Sequence, residues 1–186
     1  MFIIRKIYNF LIDTIQSLLL AASVFLVIYI FFFRPFQVKG ESMYPNFRDN
    51  QYILTNIISL HFHDPKLGVV IVFKSPQDPE KDYIKRVIGV PGDRVLIKDG
   101  NIYLNGKKLD EISYIKREIE TNAGSFLKES QEITVTDENY FVLGDNRLYS
   151  SDSREWGFVP RKNIIGESFF AYWPLDSMSL IKNPYK

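Results

Sequence analysis

A chain of 186 residues with 46% hydrophobic content can close one sizeable core plus an appendage, and a second independent domain would be crowded. Its 23 Lys and Arg against 22 Asp and Glu leave a net charge of +1, which excludes a global field that draws the chain to nucleic acid or to acidic substrates. The absence of cysteine excludes disulfides, thiolate metal sites and cysteine nucleophiles together, so only His61 and His63 remain for metal or imidazole chemistry.

Residues 1–13 read as a short N-terminal tail. From Thr14 to Phe33, between Asp13 and Arg34, no charge occurs. At about 1.5 Å per residue such a stretch spans roughly the 30 Å of a hydrocarbon core, so the pattern predicts one transmembrane helix over 14–33. Its densest part, Leu18 to Phe33, is apolar on every face, as a helix in lipid must be. A buried soluble helix and a cleaved secretory signal are the alternatives. The second fits poorly, because the run exceeds the usual 7–15 residues or so of a signal and ends in Phe31-Phe32-Phe33-Arg34-Pro35-Phe36, without a small-residue cleavage site. Arg5 and Lys6 on one side compete with Arg34 and Lys39 on the other, and an N-terminus inside is favoured.

Residues 34–186 read differently. The first glycine of the chain is Gly40, and from there turn signals separate short β-branched and aromatic runs, which predicts a mostly β domain. Val69 to Phe73 reads as a buried strand and Tyr83 to Val90 as another, ended by Pro91-Gly92. Asp99-Gly100 and Asn105-Gly106 flank Ile102-Tyr103-Leu104 and suit the positive backbone angles of tight hairpin turns, so a three-stranded meander is predicted there. No helical periodicity of useful length follows residue 34.

Three segments carry the chemistry. Phe36-Gln37-Val38-Lys39-Gly40-Glu41-Ser42-Met43-Tyr44-Pro45 puts Ser42 within about 30 Å of the bilayer even when fully extended. Alone, it could be an ordinary turn serine. In Asp82-Tyr83-Ile84-Lys85-Arg86-Val87-Ile88-Gly89-Val90-Pro91-Gly92-Asp93, strand alternation places Lys85 with Tyr83 and Val87, and Arg86 with Ile84 and Ile88. One of the two adjacent cations must then face inward if either face is buried, the alternative being a solvated edge strand with a gatekeeper lysine. A buried lysine loses proton affinity through desolvation, and its neutral amine can take the proton of a serine hydroxyl. The third segment, Gly144-Asp145-Asn146-Arg147-Leu148-Tyr149-Ser150-Ser151-Asp152-Ser153-Arg154-Glu155-Trp156-Gly157-Phe158-Val159-Pro160, is a polar loop dense enough in hydrogen-bonding groups to hold a fixed geometry, a plain exposed turn being the alternative.

Together and in this order, the Ser-Met-x-Pro, Tyr-Ile-Lys-Arg-x-x-Gly-x-Pro-Gly-Asp and Gly-Asp-Asn-Arg-x-x-Ser-x-Asp-Ser-Arg-x-x-Gly boxes resemble the type I signal peptidases, or leader peptidases, a family of membrane Ser/Lys proteases. The resemblance runs from the membrane span to about Trp173-Pro174. It implies a compact catalytic domain of coiled antiparallel sheets on the extracytoplasmic face of the cell membrane, cleaving signal peptides from exported preproteins at the membrane surface. No cofactor and no metal is implied. Ser42 would be the nucleophile, Lys85 the general base, and Ser150 the residue whose hydroxyl orients the lysine amine. Asp145, Arg147, Asp152 and Arg154 would be structural, pairing charges beside the site. Gln37, Val38, Asp82, Tyr83 and Ile84 would receive the substrate as an added β-strand, with small residues at the first and third positions before the cut. The partners are therefore preproteins and the lipid bilayer, with no nucleic acid; whether the enzyme works alone or beside the export channel is left open.

This sequence departs from the family's pattern in three ways. Gly40 stands where some members carry a Ser or Thr of the oxyanion hole, which leaves backbone N–H groups, first that of Ser42, to form it. Asn46 replaces the threonine that often follows the proline. One span rather than two, with only positions 86–143 between Lys85 and Gly144, leaves no room for a large accessory domain. Other readings are weaker. His61 and His63 would share a strand face, but a third metal ligand is not evident. A self-cleaving repressor-type Ser/Lys peptidase would need a DNA-binding module where the membrane span lies, and a non-catalytic peptide-binding β domain would not need both Ser42 and Lys85.

Overall fold

The computed structural model describes residues 2–186. Helix α1 runs Phe2–Phe32, starting well before the expected Thr14 because residues 2–13 contain neither glycine nor proline to stop it. At 31 residues it is about 46 Å long, enough to cross the hydrocarbon core and reach the headgroups at both ends. The section Phe2–Val27 is long and apolar enough to span a membrane. The helix stops one residue short of expectation. Pro35 has no N–H for the carbonyl of Phe31 and its ring would clash there, so Phe33 opens a strand.

The rest is two antiparallel sheets. In chain order the strands are β1 Phe33–Gln37, β2 Tyr52–Asn56, β3 Val70–Lys74, β4 Asp82–Gly89, β5 Arg94–Lys98, β6 Asn101–Leu104, β7 Lys107–Lys108, β8 Glu132–Thr134 and β9 Asn139–Leu143; after the short helix α2, Ser153–Trp156, come β10 Val159–Pro160, β11 Ile164–Trp173 and β12 Ser179–Leu180. The larger sheet is ordered β1-β2-β11-β3-β4-β9-β10 with β12 on β11, and the smaller is β7-β6-β5-β8. The expected meander is β5-β6-β7, with β8 added as a fourth strand. Its turns have φ of 50° and 69° at Asp99-Gly100 and of 52° and 78° at Asn105-Gly106, the backbone that these dipeptides favour.

Strand β4 lies between β3 and β9, which borders it from Arg86 onward, so only its Asp82–Lys85 half is paired on one side alone. Alternate residues enter different cores: Ile84 packs with Val38, Met43 and Ile53, whereas Val87 packs with Ile71, Phe73 and Val142. Both faces are covered. The two adjacent cations are consequently both buried, Lys85 at 4% exposure and Arg86 at 3%, where sequence reasoning required only one to turn inward. His61 ends a 3-10 turn, Ser59–His61, and His63 follows it, so they do not share a strand face as expected. Among the described residues no group of His and carboxylates is arranged to hold a metal ion.

Candidate active site

The nucleophile segment follows β1 directly. Val38 is buried and continues the β1–β2 connection, its N–H donating to Gln51 O and its carbonyl accepting from Asn50 N–H. Met43, fully buried, anchors the next turn, and the partly exposed Ser42 sits beside it. Asn146 ties this turn to the third segment: its N–H donates to Ser42 O at 3.0 Å and its Nδ2 to Glu41 O at 3.0 Å, while Asp145 N–H donates to Met43 Sδ at 3.4 Å. Gly144 explains why no side chain intervenes, since a Cβ there would collide with Ser42 O and Ser150 Oγ.

Lys85 comes from the middle of β4, opposite Ile71. Its Nζ is 2.7 Å from Ser42 Oγ and donates to Ile84 O at 3.1 Å, with the Tyr83 ring centroid 5.4 Å away. Burial lowers the lysine pKa from 10.5 to about 8, against the opposing pull of the Asp152 and Asp145 carboxylates. An amine with that pKa is uncharged in a useful fraction near neutral pH, and its lone pair then accepts the hydroxyl proton across the same 2.7 Å contact.

The polar loop is held by bidentate pairs, not all of them the expected ones. Asp152 caps α2 and pairs with Arg154, Nε to Oδ1 at 2.7 Å and Nη2 to Oδ2 at 2.9 Å, while accepting Gly144 N–H at 3.1 Å. Asp145 pairs with Arg86 at 2.8 and 2.7 Å. Arg147 pairs with Glu111 at 3.0 and 2.6 Å and donates to Gly144 O and Thr121 Oγ1. Tyr114, whose phenol is pushed up by burial and so stays protonated, donates to Glu111 at 2.6 Å and lies under the Arg86 guanidinium, 4.3 Å from ring centroid to Cζ. Asn46 joins the layers by donating to both Asp145 Oδ2 and Tyr114 O at 2.8 Å. Glu111 lies in an irregular stretch with no local signal, and only the fold brings it here; Arg86 and Asn46 stood inside the boxes without an assigned task.

Ser150 departs from expectation. Its Oγ is buried beside Gly144 and makes no hydrogen bond among the described residues, so it does not orient the Lys85 amine in this structure, whereas Ile84 O accepts from that amine. Gly40, at φ 80°, donates its N–H to Asp49 Oδ1 at 2.7 Å and faces open space where a Cβ would stand. The five expected substrate-contacting residues, Gln37, Val38, Asp82, Tyr83 and Ile84, all line one groove of about 220 Å³ with Ser42 and Lys85. Phe36, Lys39, Ile53, Val72 and Ser151, to which sequence reasoning gave no substrate role, complete it. β9 pairs with β4 only from Arg86 onward, so the Asp82–Lys85 stretch has one unpaired side, and β1 is the edge of its sheet.

Residues 11–173 match the family described as signal peptidase, peptidase S26. The chain belongs to that family. Among its relatives are the probable signal peptidase I-2 of Synechocystis sp., 39% identical over an alignment of 150 residues, with 77% of this chain and 65% of the other covered, and the signal peptidase IB of Staphylococcus aureus, 33% identical over an alignment of 185 residues, with 94% and 95% covered. This chain thus spans just under two thirds of the Synechocystis protein and nearly all of the Staphylococcus one. A crystal structure of a signal peptidase I from Enterococcus faecalis aligns with 56% of this chain and 97% of that chain, at 30% identity and a TM-score of 0.47. A membrane-anchored serine endopeptidase of the signal peptidase I type is what the three boxes implied, and family and relatives bear that out.

Proposed function

We propose that this chain removes signal peptides from exported preproteins by Ser/Lys catalysis at the outer surface of the cell membrane, with its N-terminus inside. The observation that carries the reading is the 2.7 Å contact between Ser42 Oγ and the buried Lys85 Nζ. The preprotein lies as a strand along the unpaired side of Asp82–Lys85, opposite Gln37 and Val38, presenting its scissile carbonyl to Ser42. Oγ attacks that carbon as its proton passes to Nζ. The oxyanion is met by the Ser42 N–H, since the Gly40 N–H is committed to Asp49. Collapse of the tetrahedral intermediate breaks the peptide bond, the lysine ammonium protonates the leaving amine, and an acyl-Ser42 ester remains. Water then attacks the ester, again giving its proton to Lys85, and the signal peptide leaves as a free acid.

A groove of about 220 Å³ is smaller than the roughly 300–1,000 Å³ of drug-sized pockets, and its apolar lining of Phe36, Ile53, Val72 and Ile84 favours small side chains before the cut. The end of α1 joins β1 without a linker, and Ile57 N–H donates to Phe32 O at 3.1 Å, which holds the domain against the bilayer where signal peptides emerge. The test is cleavage of one signal-bearing preprotein in detergent. Ser42→Ala abolishes turnover and Lys85→Ala lowers kcat/KM at least about a hundredfold, with folds intact by circular dichroism. Near-normal turnover by either variant refutes the assignment.

A further inference from the structure

A second groove, of about 500 Å³, opens where the helix meets the domain. Phe31 from the last turn of α1, with Ile57, Ile58 and Phe62 from the segment after β2, forms its apolar lining; Arg34 and His61 supply its polar groups. Phe31 and Phe62 are 68% and 79% exposed, far more than packing within the domain explains. The side chains of Arg34 and His61 enter no salt bridge among the described residues. Asp64, close to His61 in sequence, is already paired with Arg161 at 2.8 Å. The groove is continuous with the apolar helix through Phe31. Its position is therefore the boundary between hydrocarbon and headgroups, whichever way the chain is oriented.

An occupant must present apolar chain and an anion a few ångströms apart. A signal peptide offers an apolar segment but carries basic residues at its start, which Arg34 repels. We propose that this groove binds an anionic phospholipid, with the phosphodiester on the Arg34 guanidinium and the His61 ring, and the upper acyl chains on Phe31, Ile57, Ile58 and Phe62. This rests on the membrane-anchored reading but not on the Ser42 and Lys85 chemistry. Its role is to fix the tilt of the catalytic domain over the bilayer, because Arg34 lies in the same strand, β1, that leads into the substrate groove at Gln37.

The test uses the full-length protein in phosphatidylcholine nanodiscs with and without phosphatidylglycerol, and native mass spectrometry to count lipids that stay bound on release. The wild type retains phosphatidylglycerol in preference to phosphatidylcholine. Arg34→Gln lowers that preference about fivefold, Arg34→Lys largely keeps it, and soluble glycerol phosphate does not compete. Equal retention of the two lipids, an unchanged preference in Arg34→Gln, or displacement by glycerol phosphate overturns the proposal. Preferential displacement by a signal peptide overturns it too and gives the groove to the substrate. Wild type that does not float with phosphatidylcholine vesicles contradicts the anchor itself, a failure separable from loss of lipid preference.

Discussion

Lys85 illustrates how one side chain carries cost and function together. Its pKa is lowered to about 8 by burial, while in the unfolded chain it stays near 10.5. Between those pH values the unfolded chain holds a proton that the folded one has shed, so stability rises with pH there. Below about pH 8 both states are protonated and the buried ammonium bears its full desolvation cost, on the order of 3 kcal/mol. Lys85→Met, which keeps the volume and removes the charge, is therefore more stable than wild type at neutral pH. Urea unfolding from neutral pH to about pH 10 should show that advantage shrinking as pH rises, and a pH-independent gap contradicts the assigned burial cost. Gly144 makes the complementary case by having no side chain. Gly144→Ala drives a methyl group into Ser42 O and Ser150 Oγ, and a displacement of about 1 Å at Ser42, the proposed nucleophile, lowers kcat/KM about a hundredfold; unchanged steady-state cleavage would show that the turn gives way freely. That Lys85 and Ser42 meet was legible from the three boxes taken together, since neither segment alone distinguished them from a gatekeeper lysine and a turn serine. Ser150 was not, because the rotamer of a buried hydroxyl depends on packing that no motif encodes.

At the scale of elements, the site is lined from four strands, β1 to β4, and from the loops that carry Ser42 and Ser151, and buried ion pairs set the second loop. Arg147 has no side-chain exposure and leans on Glu111, which is 15% exposed. Removing the carboxylate leaves an uncompensated buried guanidinium, so Glu111→Ala should cost about 3–5 kcal/mol in chemical denaturation. A loss below about 1 kcal/mol would mean that water replaces the carboxylate. Gly68, at φ 84°, packs against Asn183 and Tyr185 with no room for a Cβ, so the C-terminal segment closes over the Arg86–Asp145 layer. The hairpin turns, β3 and β4 were readable within a residue or so from dipeptides and β-branched runs. The Glu111–Arg147 pair was not, since residues 36 apart with irregular chain between them meet only through the completed sheet.

In the whole molecule the apolar helix α1 runs straight into β1 of the larger sheet, and this continuity joins a soluble-looking β domain to a membrane anchor. The lower helix boundary fell twelve residues from its expected place, because a charge-free window marks the hydrocarbon core while helical structure ends only where glycine or proline stops it. β1 contributes to both grooves, Phe36 and Gln37 to the one that holds Ser42 and Arg34 to the one beside the end of α1. The account stands or falls on the neutral lysine as base. The most direct measurement is kcat/KM for one signal-bearing preprotein against pH, with the full-length protein in proteoliposomes. The prediction is a rise of about tenfold per pH unit below pH 8, a plateau above it, and no activity for Lys85→Arg at any pH, since a guanidinium stays protonated. A flat profile with a stable enzyme, a rise centred near the histidine range of about 6.5, or turnover by Lys85→Arg would contradict it.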